Sequence, residues 1–211
     1  GPYVLVGHSF GGLTMQAFAQ ANPDETAGVV LVDSSHPGQG QALAAVPEVV
    51  AVQDAEIAGL ANLATQVEAG VMGPADLLPA APELPGQLRD QWALLKAQPE
   101  ALRAAMAEYA ALEEGMAAVG GQGALGDTPL VVIARGIGLA GQLPPEALTS
   151  MGLTPEVLER FDTAWRGLQE DLLTLSSNSE LIVAEDSTHY VYLDQPDVVV
   201  AAIEQVLAES S

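Results

Sequence analysis

Four short runs of the chain are apolar without alternation, and helical spacing fills most of the sequence between them. Tyr3-Val4-Leu5-Val6, Ala27-Gly28-Val29-Val30-Leu31-Val32, Pro129-Leu130-Val131-Val132-Ile133-Ala134 and Leu181-Ile182-Val183-Ala184 all lack the every-second-residue pattern of a half-solvated strand. Each run is read as a strand, and the continuous apolar run Ala27 to Val32, closed by Asp33, predicts a parallel strand buried on both faces. A helix is predicted over residues 11–21 and ends at Asn22-Pro23, because proline pushes the residue before it out of the helical region. Thr154 followed by Pro155 predicts a capped helix start, with the helix running through Trp165 and Leu168 to about Leu175. Gln195-Pro196 opens a last helix, which carries Val199, Ile203, Val206 and Leu207 on one face. Strand, helix and strand within the first 33 residues make a βαβ unit. The expected class is therefore α/β, with a parallel sheet and flanking helices.

Residues 38–125 have a different character, rich in Ala, Leu and Glu with scattered Pro and Gly. Leu102, Met106, Tyr109, Leu112 and Met116 recur every three or four residues and predict one apolar helical stripe. Pro79, Pro82, Pro85 and Pro99 divide the segment into several helices. A connection this long is far beyond an ordinary loop, which predicts a helical cap inserted after the second strand. The expected organisation is core sheet over 1–37, helical cap over 38–125, and core sheet with the C-terminal helix over 126–211. Gly121-Gln122-Gly123-Ala124-Leu125-Gly126 spells a dinucleotide fingerprint, but it follows a helical region and precedes a strand. The fingerprint needs the opposite order, so a hinge between cap and core is expected there and no nucleotide cofactor.

Composition narrows the function classes. At 211 residues and 49% hydrophobic the chain can fill one sizeable core, and no uninterrupted apolar stretch is long enough to span a membrane. The absence of cysteine excludes disulfides, thiolate metal sites and a cysteine nucleophile, and leaves the compartment open. A net charge of −22, from 28 acidic against 6 basic residues, argues against nucleic acid and against strongly anionic substrates. An acidic solvated surface accounts for it; adaptation to high salt, which the single Lys96 fits, is the other reading.

The chemistry starts at Gly7-His8-Ser9-Phe10-Gly11, a G-x-S-x-G pattern directly after an apolar strand and before a helix. Such an elbow thrusts a serine off the strand end on a strained turn. Glycines two before and two after are expected to leave room where a Cβ would clash. Ser9 Oγ is then the candidate nucleophile, and the Phe10 N–H faces the place where an acyl oxygen gathers charge. Of the three histidines, His189 lies in the loop after the last strand, and loops at the carboxyl ends of a parallel sheet share one edge. His189 is therefore the expected general base. His8 is too close to Ser9 for productive alignment and is expected to shape the elbow and the pocket; His36 and Tyr190 are further pocket candidates. The acid is open. The loop after the third strand, Arg135 to Gln142, holds no carboxylate; Glu146 is the nearest acid downstream, and Asp33, closing the second strand, is the preferred candidate.

The GHSFGG elbow, the following Val30-Leu31-Val32-Asp33-Ser34-Ser35-His36-Pro37, and the closing Ser187-Thr188-His189 with Leu193-Asp194-Gln195-Pro196 resemble the α/β-hydrolase superfamily from its fifth strand onward. The resemblance covers both ends of the chain and hardly touches the middle. It implies the C-terminal part of an α/β-hydrolase fold, with further strands and a second oxyanion donor supplied by upstream chain. The opening Gly1 and the near absence of sequence before the nucleophile agree with that expectation. Ser9 in place of an aspartate implies ester, thioester, lactone or amide hydrolysis of a small acyl substrate, with no metal or organic cofactor. A non-catalytic ligand-binding relative, and acyl transfer or perhydrolysis, remain the other readings.

Overall fold

The computed structural model describes residues 1–73, 76, 85–96 and 98–210. All four predicted strands form: β1 (Tyr3–His8), β2 (Thr26–Val32), β3 (Leu130–Arg135) and β4 (Ser179–Ala184). They lie in one sheet in the order β1-β2-β3-β4, every neighbouring pair parallel. The register pairs His8 with Val32, Val32 with Ile133, and Arg135 with Ala184, so the strands finish together along one edge. That shared edge is what later gathers the polar side chains.

The lack of alternation in β2 and β3 has the expected cause. Val30, Val32, Val131 and Ile133 pack on one face against helix α9 (Pro196–Glu209), through Val199, Ala202 and Val206. Val29, Leu31, Leu130 and Val132 pack on the other face against Ala19 of helix α1 (Phe10–Ala21) and against Leu172 and Leu175. The apolar stripe of α9 runs through Ala202, and Leu207, expected on that face, is half exposed. Thr154 caps helix α7 (Pro155–Asp171) by accepting from the Val157 amide, and a single 3₁₀ turn over Leu172–Leu175 continues it. The buried face of α7 presents Phe161, Trp165 and Leu168. β1 pairs with β2 alone among the described residues, and its Tyr3 and Val6 side chains are exposed.

Between β2 and β3 come α2 (Gln39–Leu43), α3 (Pro47–Glu68), α4 (Gly86–Lys96) and α5 (Pro99–Ala118). Pro85 directly precedes α4 and Pro99 opens α5; Pro79 and Pro82 lie outside the described residues. The chain divides into two compact units, residues 1–50 with 114–211, and residues 51–113. Within the second, Arg103 of α5 pairs with Glu68 of α3 at 2.6 Å. Along α5, Leu102 and Met116 are buried, whereas Tyr109 in the middle of the expected stripe is exposed. Among the described residues three helices are short: α2, α6 (Pro145–Ser150) and α8 (Val191–Asp194). Gly121 to Gly126 form turns leading to β3, with Gly123 and Gly126 at positive φ, and no helix follows them. No described helix is long and apolar enough to cross a membrane.

Candidate active site

Ser9 stands between β1 and α1 with φ 53° and ψ −128°, a conformation that strains a residue bearing a Cβ. Such strain costs on the order of 1–3 kcal/mol and persists only where surrounding bonds fix it. Here the Ser9 N–H donates to Val32 O at 3.1 Å, while its carbonyl accepts from Gly12 N at 3.0 Å and Ser35 N at 2.9 Å. Gly7 is required by close approach: a Cβ there would stand 2.6 Å from the Gly11 carbonyl oxygen. The second crowded glycine is Gly12, where a Cβ would fall on the Ser34 side chain, and not Gly11, which faces open space. The expectation for Gly11 is corrected because the crowding comes from the Ser34 loop, which packs one residue further along α1. Phe10 is the first residue of α1, so its N–H belongs to the open first turn, where no intrahelical acceptor exists.

Asp33 leaves β2 at φ 38°, a left-handed conformation that aspartate tolerates better than most residues. Its side chain is fully buried and surrounded by donors. Oδ1 accepts from Trp165 Nε1 at 2.8 Å and from the Arg135 amide at 3.3 Å. Oδ2 accepts from Arg135 Nη1 at 2.8 Å and from His189 Nδ1 at 2.6 Å. Burial pushes the Asp33 carboxyl up, but the His189 hydrogen bond, the Arg135 charge and the Trp165 indole outweigh it and hold the carboxyl below its ordinary range.

A carboxylate only accepts, so the His189 Nδ1–H is the donor, and in the neutral imidazole this leaves the lone pair on Nε2. The His189 carbonyl accepts from His8 Nε2 at 2.8 Å, and the two rings lie 4.5 Å apart. Burial is the main reason the His8 imidazole is held below its ordinary value, against the raising effect of that hydrogen bond. Tyr190 stands edge-on to His189 at 5.5 Å, and Tyr192 edge-on to His8 at 5.0 Å, so an aromatic wall borders the imidazole. Among the described residues Ser9 Oγ and His189 Nε2 make no hydrogen bond; such contacts commonly tighten only when substrate is bound.

His36 is not drawn into this group. Its Nε2 meets Asp171 Oδ2 at 2.9 Å and its Nδ1 accepts from the Gly38 amide at 2.8 Å. Burial keeps its imidazole low in spite of Asp171. Glu146 lies in the first turn of α6, and among the described residues no hydrogen bond or ion pair joins it to Asp33, whose partners are Arg135, Trp165 and His189. Directly after β3, Gly136 N donates to Ala184 O and Ile137 N to Ser187 O, and a Cβ on Gly136 would stand 2.4 Å from the Glu185 backbone, so that position admits no side chain. Asp162 of α7 enters instead and accepts from the Leu139 amide at 3.1 Å.

Arg135, Trp165 and Asp162 are the polar neighbours that sequence reasoning missed. One signal was available: Arg135 closes an otherwise apolar strand in a chain with six basic residues, and a buried guanidinium demands an acid. Among the described residues no group of three His, Asp or Glu side chains could hold a metal ion.

A family model described as Alpha/beta hydrolase family matches residues 1–202. No curated protein and no solved structure matches the chain.

Proposed function

The chain belongs to the alpha/beta hydrolase family, and from that premise we propose that it is a serine hydrolase acting on carboxylic esters or related small acyl compounds. Ser9 Oγ attacks the acyl carbonyl while His189 Nε2 takes its proton. The Phe10 N–H donates to the oxyanion of the tetrahedral intermediate. Asp33 holds His189 in the Nδ1–H tautomer and offsets the imidazolium charge. Collapse expels the alcohol, which receives the proton from His189, and leaves an acyl-serine. Water, deprotonated by the same Nε2, then releases the acid and restores Ser9. The observation that carries this reading is the 2.6 Å contact between His189 Nδ1 and a fully buried Asp33, on the sheet edge where the strained Ser9 stands.

The aromatic wall of Tyr190 and Tyr192 and the net negative charge favour a neutral substrate with an apolar acyl or alkyl group. The helices between β2 and β3 are, in this reading, an insertion into the hydrolase core. The reading also includes a strand laid along β1, which would cover Tyr3 and Val6 and bring a second oxyanion donor. Hydrolysis of short acyl esters by the full chain tests the proposal. Ser9→Ala is expected to remove turnover while leaving the fold intact, and undiminished turnover by that variant would overturn it.

A further inference from the structure

Arg135 is buried at the end of β3, and its place in the site has no counterpart in a simple Ser-His-Asp arrangement. Its Nη1 donates to Asp33 Oδ2 at 2.8 Å, the same oxygen that accepts from His189 Nδ1 at 2.6 Å. Its Nη2 lies 3.4 Å from Asp162 Oδ1. The guanidinium carbon stands 5.0 Å from the Trp165 ring centre and 5.6 Å from that of Phe161. Two rings, two carboxylates and a strand end therefore fix one cation on the carboxylate that supports the imidazole.

A guanidinium stays charged throughout the working pH range of an enzyme. A carboxylate bonded to imidazole alone gives its whole charge to stabilising imidazolium. A carboxylate shared with a fixed cation gives part of it. Sharing one oxygen keeps guanidinium and imidazole within the span of about 4–6 Å over which one charge shifts the titration of another. Resting on the Ser9–His189–Asp33 assignment above, we propose that Arg135 is a positioning residue that divides the charge of Asp33 with His189 and so extends the working range of the site toward acid pH.

The other groups facing this pair come from every packed element. His8 at the end of β1 donates to the His189 carbonyl, and burial holds its imidazole below the ordinary value. From α7 come Asp162, shared with Arg135, and Arg166, whose Nη2 donates to the Arg135 carbonyl at 3.3 Å. Tyr190 and Tyr192 stand on the solvent side. Arg135 is thus the one fixed cation bonded to the Asp33 carboxylate among the described residues.

The test is the acid limb of the kcat/KM profile for a short acyl ester, measured on the full chain and repeated with the rate of fluorophosphonate labelling. Arg135→Met is expected to move that limb to higher pH by about one to two units, the effect of one charge at this range. Arg135→Lys, which keeps the charge, is expected to leave it within a few tenths of a unit of the parent. A folded Arg135→Met with an unmoved limb would overturn the proposal, as would Arg135→Lys moving as far as Arg135→Met. If Arg135→Met does not fold, Asp162→Asn decides. Freed of its second carboxylate, Arg135 would then commit more fully to Asp33 and the limb would move about half a unit to lower pH; an unmoved limb overturns the proposal. Ser9→Ala separates the two levels: turnover that survives it refutes the triad assignment, whereas Ser9-dependent turnover with unmoved limbs refutes only the role of Arg135.

Discussion

Replacing Asp33 by asparagine removes one charge and two of the acceptor sites that four donors now occupy. Arg135 Nη1 and His189 Nδ1 converge on Oδ2, and Trp165 Nε1 and the Arg135 amide on Oδ1. An amide has one oxygen, so in either orientation its NH₂ opposes a donor. If it faces His189, the imidazole turns to the wrong tautomer and loses the base at Nε2; in a Ser-His-Asp enzyme that change lowers kcat by on the order of 10⁴. If it faces Trp165, the tautomer survives but the imidazolium loses its counter-charge. Both outcomes also leave the buried Arg135 guanidinium with Asp162, 3.4 Å away, as its one carboxylate partner among the described residues. Removing one member of a buried ion pair costs about 3–5 kcal/mol, a large part of a typical total of about 5–15 kcal/mol. Rate and stability must therefore be read separately, with kcat normalised to the folded fraction from near-ultraviolet circular dichroism. Asp33→Asn should lose about 10⁴ in normalised kcat, and Glu146→Gln almost nothing. The double variant Asp33→Asn with Arg135→Met should recover part of the stability, because the buried guanidinium that lost its Asp33 partner is gone, and none of the rate. Folded Asp33→Asn retaining kcat within tenfold of the parent would show that Asp33 is not the acid of the triad.

Three further outcomes follow from the same geometry. Gly7→Ala and Gly12→Ala should each lower the melting temperature by several degrees or prevent folding, while Gly11→Ala, whose Cβ meets open space, should be tolerated; equal losses at all three positions would contradict the packing. His8 and His36 are both held below the ordinary 6.5, so the unfolded chain takes up more protons than the folded one as the pH falls through that value. Between about pH 7 and 5.5, where carboxylates remain ionised, the melting temperature should fall on acidification, and a rise over that window would contradict the sign. Finally, β1 with Tyr3 and Val6 exposed should make the 211-residue chain prone to association. Adding on the order of 100 upstream residues, enough for several strands with their connections, should give a monomer with raised activity. A monomeric 211-residue chain at full activity would show that β1 needs no cover.

The strands were legible because burial on both faces leaves no room for a polar residue, so β2 and β3 read as unbroken apolar runs. Their shared carboxyl edge followed from parallel order, which is why Ser9 and His189 could be nominated together across most of the chain. The short helices Gln39–Leu43, Pro145–Ser150 and Val191–Asp194 were not legible, since one turn of helix carries too little periodicity to separate from a loop. Arg135 was passed over because its partners are distant in sequence: Asp33 lies 102 positions away and is brought beside it only by sheet register. Local reading sees an arginine before a glycine-rich loop and expects solvent. The expectation for Gly11 fails for a similar reason, because the atom that crowds the helix start belongs to Ser34, beyond β2, and it meets Gly12. Steric and electrostatic demands set by non-local neighbours are what a single chain conceals.

If Ser9 is an activated nucleophile, it forms a covalent adduct with a phosphonylating inhibitor. The full chain should be treated with a fluorophosphonate, the gain in intact mass measured, and the modified peptide sequenced. One adduct per chain is expected, located on Ser9, formed far more slowly when Asp33 is asparagine and not at all when Ser9 is alanine. An unmodified chain, or an adduct that forms equally well in Ser9→Ala, would contradict it.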